Sequence, residues 1–407
     1  MNLALSDEQE FLREAARGAL SRLHTVEAAR AALDTPRGGG PGGGGQAGGE
    51  EDALPDLWAV AREAGWPGLL IDEAHGGAGL DAFDAMLVLG ECGRVLAGVP
   101  LLGHLPATAI LGDAPNAAEF MADLASGERR VAYLPSQPPS DVHEQWSVDP
   151  VSGFQRAPLP VAGAAAQDGR VAVTGRLAFV PDAPGADALV GVAMRDAQGT
   201  GPGEAIGVAI LAASSPEGDA PGVSIEPVMR YDATRSLGHV TLEQAPAVVL
   251  DCPQESLIGA WHLTQALIAA ESLGSVETAL DLAVAYAKER FTFGRAIGSY
   301  QAVKHSLTEV LRQLENGRSL LYYAGWARTG APAEFPLAAS AARSVAGRAL
   351  DTATRTMISV HGGIGATWEH DAPLYFRRAQ LSRRLLGGTG GATDRVAAEL
   401  LAQADAA

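Results

Sequence analysis

A chain of 407 residues, 47 % hydrophobic and 19 % charged, is long enough for two or three domains and too apolar to be disordered. A formal net charge of −18 argues against nucleic acid and anionic membranes as partners, and leaves room for a local basic pocket for a phosphate-bearing ligand. No run is long enough to span a bilayer, the N-terminus lacks an apolar signal core, and Cys92 and Cys252 read as free thiols, so a cytoplasmic protein is expected.

Ser6 followed by an acidic turn marks a helix start, and Leu5, Phe11, Leu12, Ala15, Ala16, Ala19, Leu20 and Leu23 continue at helical spacing. Residues 35–51 are a glycine-rich insert that can bury nothing. A second amphipathic helix is expected over 54–64, a glycine-punctuated connection over 65–80, a helix over 81–97, and two short helices within 100–127. From about residue 130 the texture changes. Short β-prone runs at 131–134, 170–173, 188–192, 206–211, 223–227, 239–242 and 248–250, separated by Gly, Pro, Asp and Ser, predict a small barrel or sandwich. Beyond residue 254 the chain reads as helical again. A helix apolar nearly all round over 257–288 suits the centre of a bundle, followed by helices over 299–329, 336–360, 373–386 and from 392 onward.

Two segments carry recognisable chemistry. Residues 290–305 read RFTFGRAIGSYQAVKH, and residues 361–371 read HGGIGATWEHD. The first, an Arg-x-x-Phe-Gly-Arg-x-Ile-Gly-x-x-Gln pattern, resembles the flavin-contacting segment of acyl-CoA dehydrogenases, and the second resembles that family's second flavin-contacting loop. Read alone, Arg290 at a helix end is equally a dipole-capping cation and Phe293 a core aromatic. The resemblance implies that Arg290 meets the FAD pyrophosphate of a neighbouring subunit, Phe293 packs on the adenine side and Gln301 hydrogen-bonds the cofactor. In the second loop His361, Gly362, Gly363 and Gly365 would let backbone N–H groups approach an anionic ligand. Ser359 and Ala366 depart from the family's usual glutamine and aromatic, and Glu369 and Asp371 read as solvated or salt-bridged rather than as bases.

The middle third departs further. Where the family carries a glycine-rich flavin grip, residues 133–141 read YLPSQPPSD, with prolines that remove N–H donors. The family's Trp-Ile-Thr-Asn segment aligns with residues 179–182, where Phe179 remains able to stack on the isoalloxazine ring and Pro181 replaces a hydrogen-bonding threonine. The family's catalytic glutamate lies in a Tyr-Glu-Gly-Thr segment; here residues 386–389 read LGGT, so Gly387 stands at the base position and Thr389 keeps a cofactor contact. Some members place the base on the bundle helix instead, and that position is Thr264. The nearest carboxylate on the same helix is Glu271, two turns or about 10 Å away. Glu271 is thus either a relocated base or one half of a buried ion pair, with Arg343 and Arg348 as partners.

The resemblance implies an α+β fold in three parts: an N-terminal α-helical domain over 1–129, a middle β-barrel over 130–252 and a C-terminal four-helix bundle over 253–407. It implies FAD, an acyl-CoA substrate oxidised to the 2-enoyl thioester, and an electron-transfer flavoprotein or similar acceptor. It also implies a homo-oligomer, or an α2β2 assembly with a second acyl-CoA dehydrogenase-like chain, as in members acting on steroid side chains. With both base positions empty, the leading expectation is the subunit of a heteromeric enzyme whose partner holds the base. The rivals are a self-sufficient dehydrogenase using Glu271, a flavin monooxygenase on the same fold, and a non-catalytic scaffold.

Overall fold

A computed structural model describes residues 4–34, 56–137, 147–148, 156–163, 170–195, 204–215, 218–228 and 232–405. The insert expected at 35–51 and residues 138–141 lie outside the described residues. Helix α1 (Asp7–Leu20) starts with a capping box in which Ser6 and Gln9 satisfy each other's backbone N–H groups. A separate α2 (Thr25–Asp34) follows, beyond the expected pattern that ended at Leu23; His24 at a φ of 45° turns the chain between the two. Helices α3 (Leu57–Glu63), α4 (Ala82–Arg94), α5 (Leu101–Gly112) and α6 (Met121–Ala125) complete the first helical part.

The strands of the main sheet are β1 (Val131–Leu134), β2 (Val161–Ala162), β3 (Arg170–Pro181), β4 (Ala188–Arg195), β5 (Glu204–Leu211), β6 (Val223–Pro227) and β7 (Leu237–Leu250). They form one sheet in the order β1-β4-β2-β3-β7-β6, and β5 bridges β7 and β4. The path β4-β2-β3-β7-β5-β4 therefore closes on itself, giving the expected small barrel around Val173, Leu189, Val208 and Val240. The runs at 239–242 and 248–250 are one strand, not two. Register shifts between Gly238 and Val240 and between Leu242 and Ala245 bend β7 without ending it, which conceals its continuity in the sequence pattern.

The last part is a bundle of α7 (Gln254–Glu289), α8 (Gln301–Gly330), α9 (Phe335–His361) and α11 (Gly388–Asp405), with the shorter α10 (Ala372–Ser382) beside it. Helix α7 has 36 residues, so it is about 54 Å long. It packs against α4, α8 and α9, which explains why it is apolar nearly all round. The approach to α4 is close enough to require glycine: a Cβ on Gly93 would lie 1.9 Å from the Glu271 carbonyl oxygen, and one on Gly274 1.9 Å from that of Gly90. Helix α10 stops four residues short of the expected 386 and α11 starts at 388 rather than 392. Leu386, Gly387 and Gly388 all have positive φ (53°, 79° and 66°), and no helix continues through such a run. No helix among the described residues is long and apolar enough to cross a membrane.

Candidate active site and flavin edge

Helix α7 ends at Glu289, and past Arg290 the chain turns at once into a hairpin, β8 (Phe291–Thr292) and β9 (Arg295–Ala296). Its two-residue turn, Phe293-Gly294, has both φ values positive, 50° and 79°. That conformation suits hairpin twist, but asparagine or glycine normally takes the first position. Here it holds an aromatic ring 93 % exposed. The hairpin is braced by Ile297 N–H donating to Arg290 O at 2.8 Å and by the Arg295 guanidinium 3.9 Å above the Tyr300 ring. Arg290 and Gln301 are exposed, and their side chains make no hydrogen bond or ion pair within the described residues.

The second segment lies against the first. Tyr286, one turn before Arg290, stacks on His361 with centroids 4.4 Å apart, and His370 closes on the same ring at 4.2 Å. His361 Nδ1 lies 2.8 Å from Met357 O and so carries the proton that is donated there. His370 accepts from Ala372 N–H at 3.0 Å, and burial, helped by His361 and Arg30, lowers its pKa. Gly362 ends α9 at φ 64° and ψ −136°, a conformation open to glycine alone. A Cβ on Gly362 or Gly363 would meet nothing, so their backbone faces open space, whereas Gly365 is packed against Ile358 and His361. Asp371 is ion-paired with Arg30 of α2, and Glu369 is exposed. An unopposed guanidinium, an exposed aromatic and bare glycine backbone on one edge fit an adenine dinucleotide diphosphate.

Neither Thr264 nor Gly387, the two positions expected for the base, is a carboxylate. The Thr264 hydroxyl is buried and donates to Ala260 O at 2.7 Å, back into its own helix. Gly387 sits in the left-handed run between α10 and α11, held by Gln265 Nε2–H donating to Leu386 O at 3.1 Å. Beside it is a small cavity lined by Gln137, His262, Gln265, Ser340 and Arg395. His262 is fully buried there, neither ring nitrogen has a partner among the described residues, and burial lowers its pKa to about 3. Thr389 turns its methyl group onto α9 against Gly347.

Glu271 stands seven residues along α7 from Thr264, about 10 Å on the helix axis. It is buried between two cations: Arg235 holds Oε2, and Arg378 Nη1 donates to Oε1 at 2.8 Å. Arg378 also donates to Asp232 Oδ2 and to Thr234 Oγ1, each at 2.5 Å, and to Leu96 O at 3.3 Å. Burial raises the Asp232 pKa, but Arg378 and Thr234 outweigh it and the net shift is downward. The network joins α7 and α10 of the bundle to the segment entering β7 and to the end of α4. The partners of Glu271 are therefore Arg235 and Arg378, not the expected Arg343 and Arg348. Arg343 instead donates to the Ser382 and Leu385 carbonyls, and Arg348 is exposed. Sequence reasoning missed Asp232, Arg235 and Arg378, because they stand 36 to 146 residues from their partners.

In the barrel, Phe179 is half-buried at a φ of 52°, with its ring 4.9 Å from His239 in an edge-on arrangement. Asp182 is buried and accepts from Gly103 N–H at 2.8 Å, and burial pushes its pKa up to about 6. Tyr133 through Gln137 are buried along and after β1.

Residues 46–128 match the model of the acyl-CoA dehydrogenase N-terminal domain, and residues 257–401 match that of its C-terminal domain. The chain belongs to the acyl-CoA dehydrogenase family. It is 29 % identical over 383 residues to acyl-CoA dehydrogenase IpdE2 of Mycobacterium tuberculosis, covering 93 % of both chains. It is 31 % identical over 405 residues to acyl-CoA dehydrogenase FadE34 of the same organism, covering 98 % of this chain and 48 % of that one. A variant of the Tcur3481-Tcur3483 steroid ACAD superposes with a TM-score of 0.80 at 25 % identity, over 98 % of this chain and 99 % of that one. The three-part acyl-CoA dehydrogenase fold is thus the fold of this chain.

Proposed function

We propose that this chain is one subunit of a heteromeric FAD-dependent acyl-CoA dehydrogenase, in which a second acyl-CoA dehydrogenase-like chain holds the catalytic base. The observation that carries the reading is Gly387, at the base position within three consecutive left-handed residues. The loss is written into the backbone as well as the side chain. Thr264 is turned into its own helix, and both oxygens of Glu271 are held by guanidinium groups, so neither offers a free base. The exposed Phe293 and the unopposed Arg290 suit contacts that a neighbouring subunit completes.

Bound flavin supplies the redox chemistry. The residues of this chain bind and orient it: Arg290 on the diphosphate, Phe293 on the adenine side, Gln301 by hydrogen bonding, Gly362 and Gly363 through open backbone. His361, stacked under Tyr286, sets the loop that carries these glycines. Phe179 and Thr389 are the contacts nearer the ring. The likeness to a steroid ACAD favours a bulky steroid-derived acyl-CoA as substrate, with electrons passing to an electron-transfer flavoprotein or similar acceptor.

The test is a visible spectrum of the chain alone and after co-expression with a dehydrogenase-like partner. Flavin absorbance confined to a co-purifying complex, bleached anaerobically by acyl-CoA, is expected. A chain that is yellow and bleaches by itself would overturn the heteromeric reading in favour of a relocated base. Absence of flavin from both samples would favour a scaffold.

A further inference from the structure

Two imidazole rings meet beside the open glycine loop. His361 closes α9, His370 precedes α10, and their centroids are 4.2 Å apart. Tyr286 of α7 stacks on the same His361 ring at 4.4 Å. From α2, Arg30 reaches the junction and pairs with Asp371, the residue after His370. Glu369, the residue before it, is exposed. Two rings and a guanidinium therefore crowd a loop whose adjacent aspartate is already engaged.

The hydrogen bonds give the two rings different roles. His361 Nδ1 donates to Met357 O at 2.8 Å and keeps that bond when the ring is charged. His370 Nδ1 instead accepts from Ala372 N–H at 3.0 Å, so the neutral ring carries its proton on Nε2. Ala372 is the first residue of α10, and its N–H has no acceptor inside the helix. A second proton on His370 must go to Nδ1. It abolishes that acceptor, places a cation at the positive end of α10, and sets it against His361 and Arg30. Burial, and after it these two neighbours, hold the His370 pKa below its ordinary value. Tyr375, whose hydroxyl donates to Arg94 O at 2.5 Å, and Arg378 in the Glu271 network pin α10 from its first turn onward. The segment left to respond is the loop 362–371, in which Gly362, Gly363 and Trp368 are exposed.

We propose that His370 is an acid-sensitive latch: neutral, it caps α10 and holds the 362–371 loop in place; protonated, it releases the loop. A released imidazole titrates near 6.5, whereas the latched ring resists its proton. The latch is therefore fully engaged above that pH and is lost as pH falls below it. The device needs neither a catalytic base nor a partner chain, so it stands or fails separately from the dehydrogenase reading. Its consequence for that reading is that the glycine backbone offered to an anionic cofactor is held in shape at neutral pH and loosened by acid. An anion seated on Gly362 and Gly363 would stabilise the added charge, so acid loosens a ligand-free loop more readily than an occupied one.

The experiment is amide hydrogen exchange of the full chain, read by mass spectrometry at pH 7.5 and pH 5.5 and corrected for the intrinsic pH dependence of exchange. It is repeated with His370→Asn, which keeps an acceptor for Ala372 N–H in a turn that asparagine favours and cannot take up a proton. In the parent, protection over 362–372 is expected to fall several-fold at pH 5.5, up to about tenfold, the limit for one proton on a group titrating near 6.5. In His370→Asn the drop disappears and protection at pH 7.5 is kept, while peptides of α7 stay unchanged in both. Arg30→Gln, at a partly exposed side chain, removes a facing charge and frees Asp371, so it shrinks the drop. A parent loop indifferent to pH, or one that already exchanges at its intrinsic rate at pH 7.5, overturns the proposal. So does an equal drop in a folded His370→Asn variant or, should that variant not fold, in Arg30→Gln.

Discussion

Replacing Glu271 with Gln separates two roles that a buried carboxylate can play. Arg235 has Glu271 as its one ion-pair partner among the described residues, whereas Arg378 keeps Asp232. Glu271→Gln therefore leaves Arg235, 2 % exposed, as a buried charge without compensation. Breaking a buried pair from one side typically costs about 3–5 kcal/mol. With an unfolding entropy of roughly 2 cal/mol/K per residue over 407 residues, 4 kcal/mol lowers the melting temperature by roughly 5 °C. Differential scanning calorimetry at pH 7 reads this directly. The double variant Arg235→Met/Glu271→Met removes both charges and recovers most of the loss. A melting temperature unchanged within 1 °C, combined with lost turnover in the assembled enzyme, would refute the anchoring role and restore Glu271 as a base.

Asp182 makes a pH-dependent prediction. Its folded pKa, raised to about 6, exceeds the unfolded value near 4, so the folded state binds more protons between those limits and stability falls as pH rises through that window. Asp182→Asn keeps an acceptor for Gly103 N–H and abolishes the slope, gaining about 2–3 kcal/mol at pH 8 relative to the parent; urea titrations at pH 4.5 and pH 8 measure the difference. Gly387→Glu is expected to lose about 1–2 kcal/mol, because φ is 79° there, and to restore no anaerobic acyl-CoA reduction in a complex whose partner base has been removed. Phe293→Ala, at a side chain 93 % exposed, should leave the melting temperature of the isolated chain within 1 °C while lowering flavin content of the assembled enzyme; equal flavin content would contradict the cross-subunit contact.

Much of the architecture was legible because local rules and tertiary demands agree. The helix start at Ser6 and the all-round apolar α7 each announce their element in the residues nearby. The run at 386–388 was harder to read. Two glycines after a leucine do not reveal that all three residues are left-handed, and the helix boundary moved by four residues on each side in consequence. In β7, bulges broke the alternation that reveals strands, and one strand read as two.

The sequence by itself determined the family, the order of helical, barrel and helical parts, and the absence of a carboxylate at positions 264 and 387. These are properties of residue identity and short-range spacing. Tertiary structure decided the environment of the buried charges. Glu271 meets Arg235 and Arg378, and Arg343 reaches the Ser382 and Leu385 carbonyls, because distant segments converge on them. Coulombic and desolvation energies depend on distance and burial, and one-dimensional spacing carries neither.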